Sequence, residues 1–289
     1  MTEPSAPGRR RRATRQRRPL LVNGEALRQT VEAPPRGGGE KFKPYSIEES
    51  RDRLVPQIQA LRAQLSELPR NLRGDELVVQ ARLLPNFLAA SSFPAALFDA
   101  AGLVPLGTRA DRADLIERNG SVKADQPTKT VYLAVRDELA TLANVLEGRT
   151  GRLTKQALEG LQTLDLFQTA QPFIQVGGDQ DFQDRDEQGR ITYETVLHGH
   201  VVDGRPAPAS RAARERWESL VNDLGGELDR AWIRTSGVVT FVPILLDPDR
   251  ALEASRFNQL RAVQPMPRLR DLPRAPSQRA LVRFCHSAE

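Results

Sequence analysis

The chain has 289 residues, about twice one ordinary domain, with 39% hydrophobic and 27% charged side chains, which predicts two compact units with polar extensions. Its longest apolar stretch, 237–246, is ten residues long and contains Thr240 and Pro243, about half of what a bilayer crossing needs, which excludes a transmembrane helix. The net charge of +5 comes from the ends: seven arginines fall within 9–18 and five after Met266, while 19–265 carry 30 basic against 34 acidic residues, which excludes a body with a broad basic face.

Residues 1–45 read as a disordered Arg-rich tail, an arginine run followed by Pro34, Pro35 and three glycines, with little apolar surface to bury. Arg9, Arg10, Arg11, Arg12, Arg15, Arg17 and Arg18 are candidate polyanion contacts through counterion release; the alternative is a solvated tail. No aromatics are interleaved to stack bases. Arg17-Arg18 ahead of Leu20, Leu21 and Val22 has the start of a twin-arginine signal, but Asn23, Glu25, Arg28 and Gln29 follow where an apolar segment belongs. With Cys285 as the single cysteine, no intrachain disulfide and no thiolate metal cluster can form, and a cytoplasmic location is expected, with no membrane partner.

An amphipathic helix is predicted over 46–70. Ser46 and Glu49 have capping-box spacing, and Leu54, Ile58, Leu61, Leu65 and Leu68 form one helical stripe, interrupted by Pro56 near the start. The stripe suits packing on its own chain or a docking seam. A first α+β module follows over 71–165. It holds strands at 76–84, 103–108 and 130–136, a helix at 93–101 with Pro94 at its start and Gly102 past its end, and a helix at 137–146.

Residues 166–190 read as an acidic linker ending in a hairpin turn. Asp184, Asp186, Gln188, Gly189 and Ile191 match part of a calcium-loop pattern, but position twelve is Thr195 and the flanks are extended, which favours the turn. A second module spans 191–265, with strands at 191–202, 231–236 and 238–246, helices at 211–224 and 247–260, and a closing strand at 262–264. The repeated order predicts an α+β fold of two tandem ferredoxin-like, split β-α-β modules, preceded by the helix and the basic tail. Residues 266–289 form a Pro/Arg-rich C-terminal tail.

No catalytic constellation is visible. His198 and His200 alternate on one strand and share a face, so they suit two zinc ligands with a carboxylate as the third, or a solvated or hydrogen-bonded pair. The His-Glu-x-x-His, Gly-x-Ser-x-Gly, phosphate-loop and dinucleotide-binding patterns are missing, so no cofactor and no metal is expected.

Three segments together carry a resemblance. Leu84-Pro85-Asn86-Phe87-Leu88-Ala89-Ala90-Ser91-Ser92-Phe93-Pro94 leads into a helix, Gly102-Leu103-Val104-Pro105-Leu106-Gly107-Thr108-Arg109 follows, and Arg261-Ala262-Val263-Gln264-Pro265-Met266-Pro267-Arg268 comes near the end. With Arg36-Gly37-Gly38-Gly39 upstream, this series resembles the N-terminal, prodomain-like or regulatory region of bacterial cytoplasmic subtilisin-like serine proteases, the group associated with AAA-type ATPases. The resemblance marks Phe87, Leu88, Pro94, Gly107, Arg109, Pro265, Met266, Pro267 and Arg268 as family-motif positions of structural rather than catalytic weight. None of the Asp-Thr-Gly, His-Gly-Thr and Gly-Thr-Ser-Met motifs of the catalytic domain occurs, so no triad residue carries over.

The resemblance implies a non-catalytic region acting as an intramolecular chaperone, inhibitor or partner-sensing module. Its partners would be a subtilisin-like catalytic domain, in cis or in trans, and an AAA-type ATPase. By analogy with subtilase propeptides, the strand-like segment after Leu260 would enter the protease cleft by strand addition. The alternative is a stand-alone protein- or nucleic-acid-interaction protein using the Arg-rich tail.

Overall fold

The computed structural model describes residues 41–137, 139–149, 153–175, 185–199, 201–202, 205–236 and 238–266. Helix α1 (Ile47–Glu67) opens with the capping box: Glu49 N–H donates to Ser46 Oγ at 3.1 Å, and Ser46 N–H donates to Glu49 Oε2 at 2.7 Å. The helix runs through Pro56, and Leu54, Ile58, Leu61 and Leu65 are buried on its own chain. Leu68, at the C-cap, packs at the margin of the same core.

The first sheet is built from β1 (Leu77–Leu83), α2 (Ala95–Ala100), β2 (Val104–Ile116), β3 (Val122–Val135), α3 (Ala140–Leu146), α4 (Lys155–Leu161) and β4 (Leu164–Thr169), in that chain order. Its strands lie in the order β2-β3-β1-β4 and every pairing is antiparallel. Val79, Ala81, Val131 and Leu133 alternate into the core shared with α1, α2 and α3. Helix α1 also closes the edge strand β4. Phe167 N–H donates to Gln57 Oε1 at 2.8 Å, and the Arg53 guanidinium donates to the Leu164 and Asp165 carbonyls, so an edge that invites foreign strands is occupied.

Two features of this half differ from the sequence expectation. The strands expected at 103–108 and 130–136 are the roots of one hairpin, 13 and 14 residues long, turning through Glu117–Ser121 with Gly120 at φ +81°. Backbone pairing carries the hairpin through residues 109–129, whose charged side chains hold no apolar alternation. Helix α4 and strand β4 have no counterpart in the expected elements, and β4 crosses the anticipated module boundary at 165/166. Gly160 lets α4 approach α2, since a Cβ there would lie 3.0 and 3.1 Å from the Leu97 and Pro94 side chains.

The second sheet comprises β5 (Phe173–Ile174), β6 (Ile191–His198), β9 (Glu227–Leu228), β10 (Arg234–Ser236), β11 (Val239–Leu246) and β12 (Leu260–Pro265). Between β6 and β9 come a two-residue pair, β7 (Val201–Val202) with β8 (Arg205–Pro206), and helix α5 (Pro208–Asp223); helix α6 (Pro248–Ala254) precedes β12. The order is β10-β11-β6-β12-β5, with β9 also on β11 and β5 parallel to β12. Both helices cover one face, where Trp217, Tyr193, Val242, Ile244, Leu246 and Phe257 form the core.

Helix α6 stops at Ala254 rather than running to 260, because Leu260–Pro265 is needed in the sheet, where Leu260 and Val263 are buried. The turn before β6 is as expected: Asp186 Oδ1 accepts from Gln188 and Arg190 N–H at 3.0 and 2.9 Å, and Gly189 takes φ +82°.

The molecule is thus α+β, with helices on one face of each antiparallel-rich sheet. Among the described residues, no helix is long and apolar enough to cross a membrane. The face of the first sheet turned away from its helices carries Val78, Leu106, Tyr132 and Ala134, all buried. Residues of the second half cover it with polar contacts. Asn258 works like a strand residue: its Oδ1 accepts from Val78 N–H at 2.6 Å and its Nδ2 donates to Val78 O at 3.0 Å. Gln259 Nε2 donates to Glu76 O at 2.6 Å, and Arg261 Nη2 to Thr108 O at 3.2 Å.

Candidate interaction site

The opposite face of the second sheet carries no helix among the described residues. Strand β11 is apolar on both sides: Thr240, Val242, Ile244 and Leu246 alternate toward the helices or the sheet's end, while Val239, Phe241, Pro243 and Leu245 alternate on the other face. Pro243 sits where the neighbour of β11 changes from β10, which pairs with 239–241, to β9, which pairs with 244 and 245. Proline has no N–H to give a ladder, and this break is where its absence costs least. The intervening chain, a 3-10 turn at Arg230–Trp232, rises beside the break; Asp229 N–H donates to Pro243 O at 3.0 Å and holds it there.

The result is an open groove of about 930 Å³. Phe241, Pro243, Leu245 and Leu228 line it, with Trp232 (64% exposed) and Met266 (39% exposed) at its sides. Its charged lining is Glu194, Glu227, Asp229 and Arg234. Glu194 Oε2 accepts from Gln264 at 2.7 Å, and Glu227 Oε1 from Arg190 at 2.9 Å. Asp229 Oδ1 accepts from Ala231 N–H at 3.1 Å. Arg234 Nη1 donates to the Ala231 and Ile233 carbonyls at 3.0 and 2.8 Å, with its guanidinium 5.9 Å from the Trp232 ring centre.

A second constellation lies where the halves meet. His198, 3% exposed, packs on Tyr132 with ring centres 4.4 Å apart and ring planes tilted by 45°, and neither imidazole nitrogen has a hydrogen-bond partner among the described residues. Burial, and then the Arg261 cation nearby, lower its pKa to about 3, so the ring is neutral at physiological pH. Arg261 and Arg109 hold their guanidinium carbons 5.2 and 6.0 Å from the centre of the same Tyr132 ring. The site is therefore packing chemistry with a titratable group inside it. It is neither the solvated nor the hydrogen-bonded histidine expected from the sequence, and His200 lies outside the described residues. Among the described residues, no group of three or more His, Cys, Asp or Glu side chains is placed to hold a metal ion.

The family-motif positions divide between these places. Phe87 is buried in a 3-10 turn after β1, with Leu88 capping that turn, and Pro94 caps α2 against Gly160. Gly107, at φ +129°, faces Arg261 and shares the Tyr132 neighbourhood with Arg109. Pro265 ends β12 and Met266 lines the groove. Pro267, Arg268 and the seven arginines of 9–18 lie outside the described residues.

Strand β12 corrects one expectation. Paired to β6 on one side and, at 262–263, to β5 on the other, Leu260–Pro265 is an interior strand and is not free to add to a foreign sheet, while the remainder of the expected segment, from 267, lies outside the described residues. Sequence reasoning missed Trp232 and the acidic lining altogether. The signal was present in 239–246, whose apolar side chains on both faces mark a strand with both faces destined for contact. Compared with protein-family models and with curated protein sequences, the chain gives no match.

Proposed function

We propose that the chain is a non-catalytic protein-binding module that acts on a subtilisin-like catalytic domain as a folding, inhibitory or partner-sensing element, with an AAA-type ATPase as a further partner in the cytoplasm. The observation that carries the binding role is the face of the second sheet that bears no helix among the described residues, an apolar groove flanked by the exposed Trp232 and Met266. An uncovered apolar face with an aromatic anchor is what a partner surface requires and a solvent-facing sheet avoids.

The assignment of the partner rests on the sequence resemblance and on topology. The order β2-β3-β1-β4 with helices between β1 and β2 and between β3 and β4 supports reading the first half as a ferredoxin-like, split β-α-β module. The order β10-β11-β6-β12, with α5 after β6 and α6 after β11, supports the same reading of the second half. Propeptides of subtilases use that fold.

Titration of the full chain into a purified bacterial cytoplasmic subtilisin-like catalytic domain tests the reading. Stoichiometric loss of peptidase activity, or a raised yield when the catalytic domain is refolded beside the chain, is expected. Unchanged activity, unchanged refolding and no complex on a sizing column would refute it.

A further inference from the structure

We infer that the groove on the second sheet selects an extended partner segment whose floor-facing side chains, every second residue, include both apolar and arginine or lysine residues, because Glu194 and Glu227 are the cross-strand partners of Pro243 and Leu245 and share their face. The inference rests on the groove being a docking face and names the chemistry of what docks. The apolar part follows from the floor, where Phe241, Pro243 and Leu245 present every second side chain of one strand. An extended chain repeats its side chains at the same interval, about 6.6 Å per two residues, so alternate residues of a ligand meet alternate residues of β11. Trp232 stands at the side with 64% of its surface free, a large rigid contact that costs little entropy to order.

The basic part follows from charge. Three carboxylates, Glu194, Glu227 and Asp229, line the groove, and each spends one oxygen on a partner within the chain. The second oxygen of each carries no such bond among the described contacts. Arg234, the cation of the lining, is turned onto two backbone carbonyls and the Trp232 ring. Arg190 offsets Glu227 but also serves Asp186, so two anions share it. A guanidinium or ammonium entering with the ligand therefore meets unspent acceptors beside a low-dielectric floor, where a charge-assisted hydrogen bond is strongest.

The probe is a fluorescein-labelled heptapeptide, Leu-Ser-Arg-Ser-Leu-Ser-Arg, whose leucines and arginines share one face of an extended chain, read by anisotropy against the full chain, with its leucine–glutamate counterpart as the comparison. The leucine–arginine peptide is expected to bind at least about tenfold more tightly than the leucine–glutamate peptide. Trp232→Ala is expected to weaken it about tenfold, and the pair Glu194→Gln with Glu227→Gln to weaken it about fivefold and flatten its salt dependence. All three positions are at the surface of the groove, and circular dichroism of each variant establishes that the fold is kept. Equal binding of the two peptides, no binding of either, or an affinity indifferent to Trp232→Ala in a folded variant would overturn the inference. No protease is present, so the two readings fail separately. Peptide binding without catalytic-domain binding removes the proposed function and leaves the groove's selectivity, and the reverse removes the selectivity alone.

Discussion

Acid should loosen this fold through His198, by an amount that follows from its burial. The unfolded chain protonates the ring near its ordinary pKa of 6.5, whereas the folded chain holds the pKa at about 3. Below pH 6.5 the unfolded state therefore binds a proton that the folded state refuses. Stability is full above that pH and is lost at up to about 1.4 kcal/mol per pH unit as the pH falls toward 3. Between pH 7 and pH 5 the integrated loss from this one group is about 2 kcal/mol, a large share of an ordinary domain's stability.

Among the described residues, no group beside the ring relieves the cost. Arg261 opposes protonation, Arg109 shares the Tyr132 ring, and Glu76, whose side chain pairs with Arg136 at 2.7 Å, is already engaged. Ser210 and Gln259 line the same small cavity.

Urea unfolding of the wild type and of His198→Leu, followed by tryptophan fluorescence at pH 7, 6 and 5, isolates the effect, because carboxylates that also titrate are common to both. The stability difference between the two proteins should shift by about 2 kcal/mol in favour of the variant on going from pH 7 to pH 5. Parallel pH dependences for the two proteins would refute the reasoning and put a proton acceptor beside the ring.

Three further perturbations have defined outcomes. Asn258→Ala removes both bonds to the Val78 backbone, strands its buried N–H and leaves its C=O with the 3.4 Å bond from Ala170 N–H, and should lower stability by about 1–3 kcal/mol in the same denaturation assay; Asn258→Asp, which keeps the acceptor and loses the donor, should also destabilise. Gly226→Ala places a methyl 2.7 Å from Leu246 Cδ1 and 2.8 Å from both Leu245 O and Val221 Cγ1, and should cost about 1–3 kcal/mol, read as a lowered Tm. A salt-sensitive mobility shift with duplex DNA that is lost on deletion of 9–18 is the outcome that would favour the nucleic-acid-interaction alternative over the proposed function.

How much the sequence discloses depends on how local the cause is. Helix α1 is legible because the Ser46–Glu49 cap and the Leu54–Leu65 stripe are set by residues one turn apart. Helix α6 is overextended in a sequence reading because its pattern continues past Ala254, and only pairing with β6 extends the expected closing strand at 262–264 to Leu260–Pro265. The outer part of the β2–β3 hairpin is illegible for a different reason. Its side chains are charged and mostly exposed, with Ala113 and Thr128 among the few buried, so backbone pairing rather than burial defines it. The groove needs tertiary closure, since Trp232, Glu194 and Met266 come together only when β10, β6 and β12 flank the same sheet. The histidine pair is visible in the sequence, but Tyr132, which gives His198 its environment, belongs to the other half of the chain.

The most direct test of the central claim is hydrogen–deuterium exchange of the full chain with and without a subtilisin-like catalytic domain. Slowed exchange concentrated in 227–246 and in β12, with α5 and α6 unaffected, is the predicted result. Unchanged exchange over 227–246 while a complex forms would contradict the account, because the partner would then be held somewhere other than the open face of the second sheet.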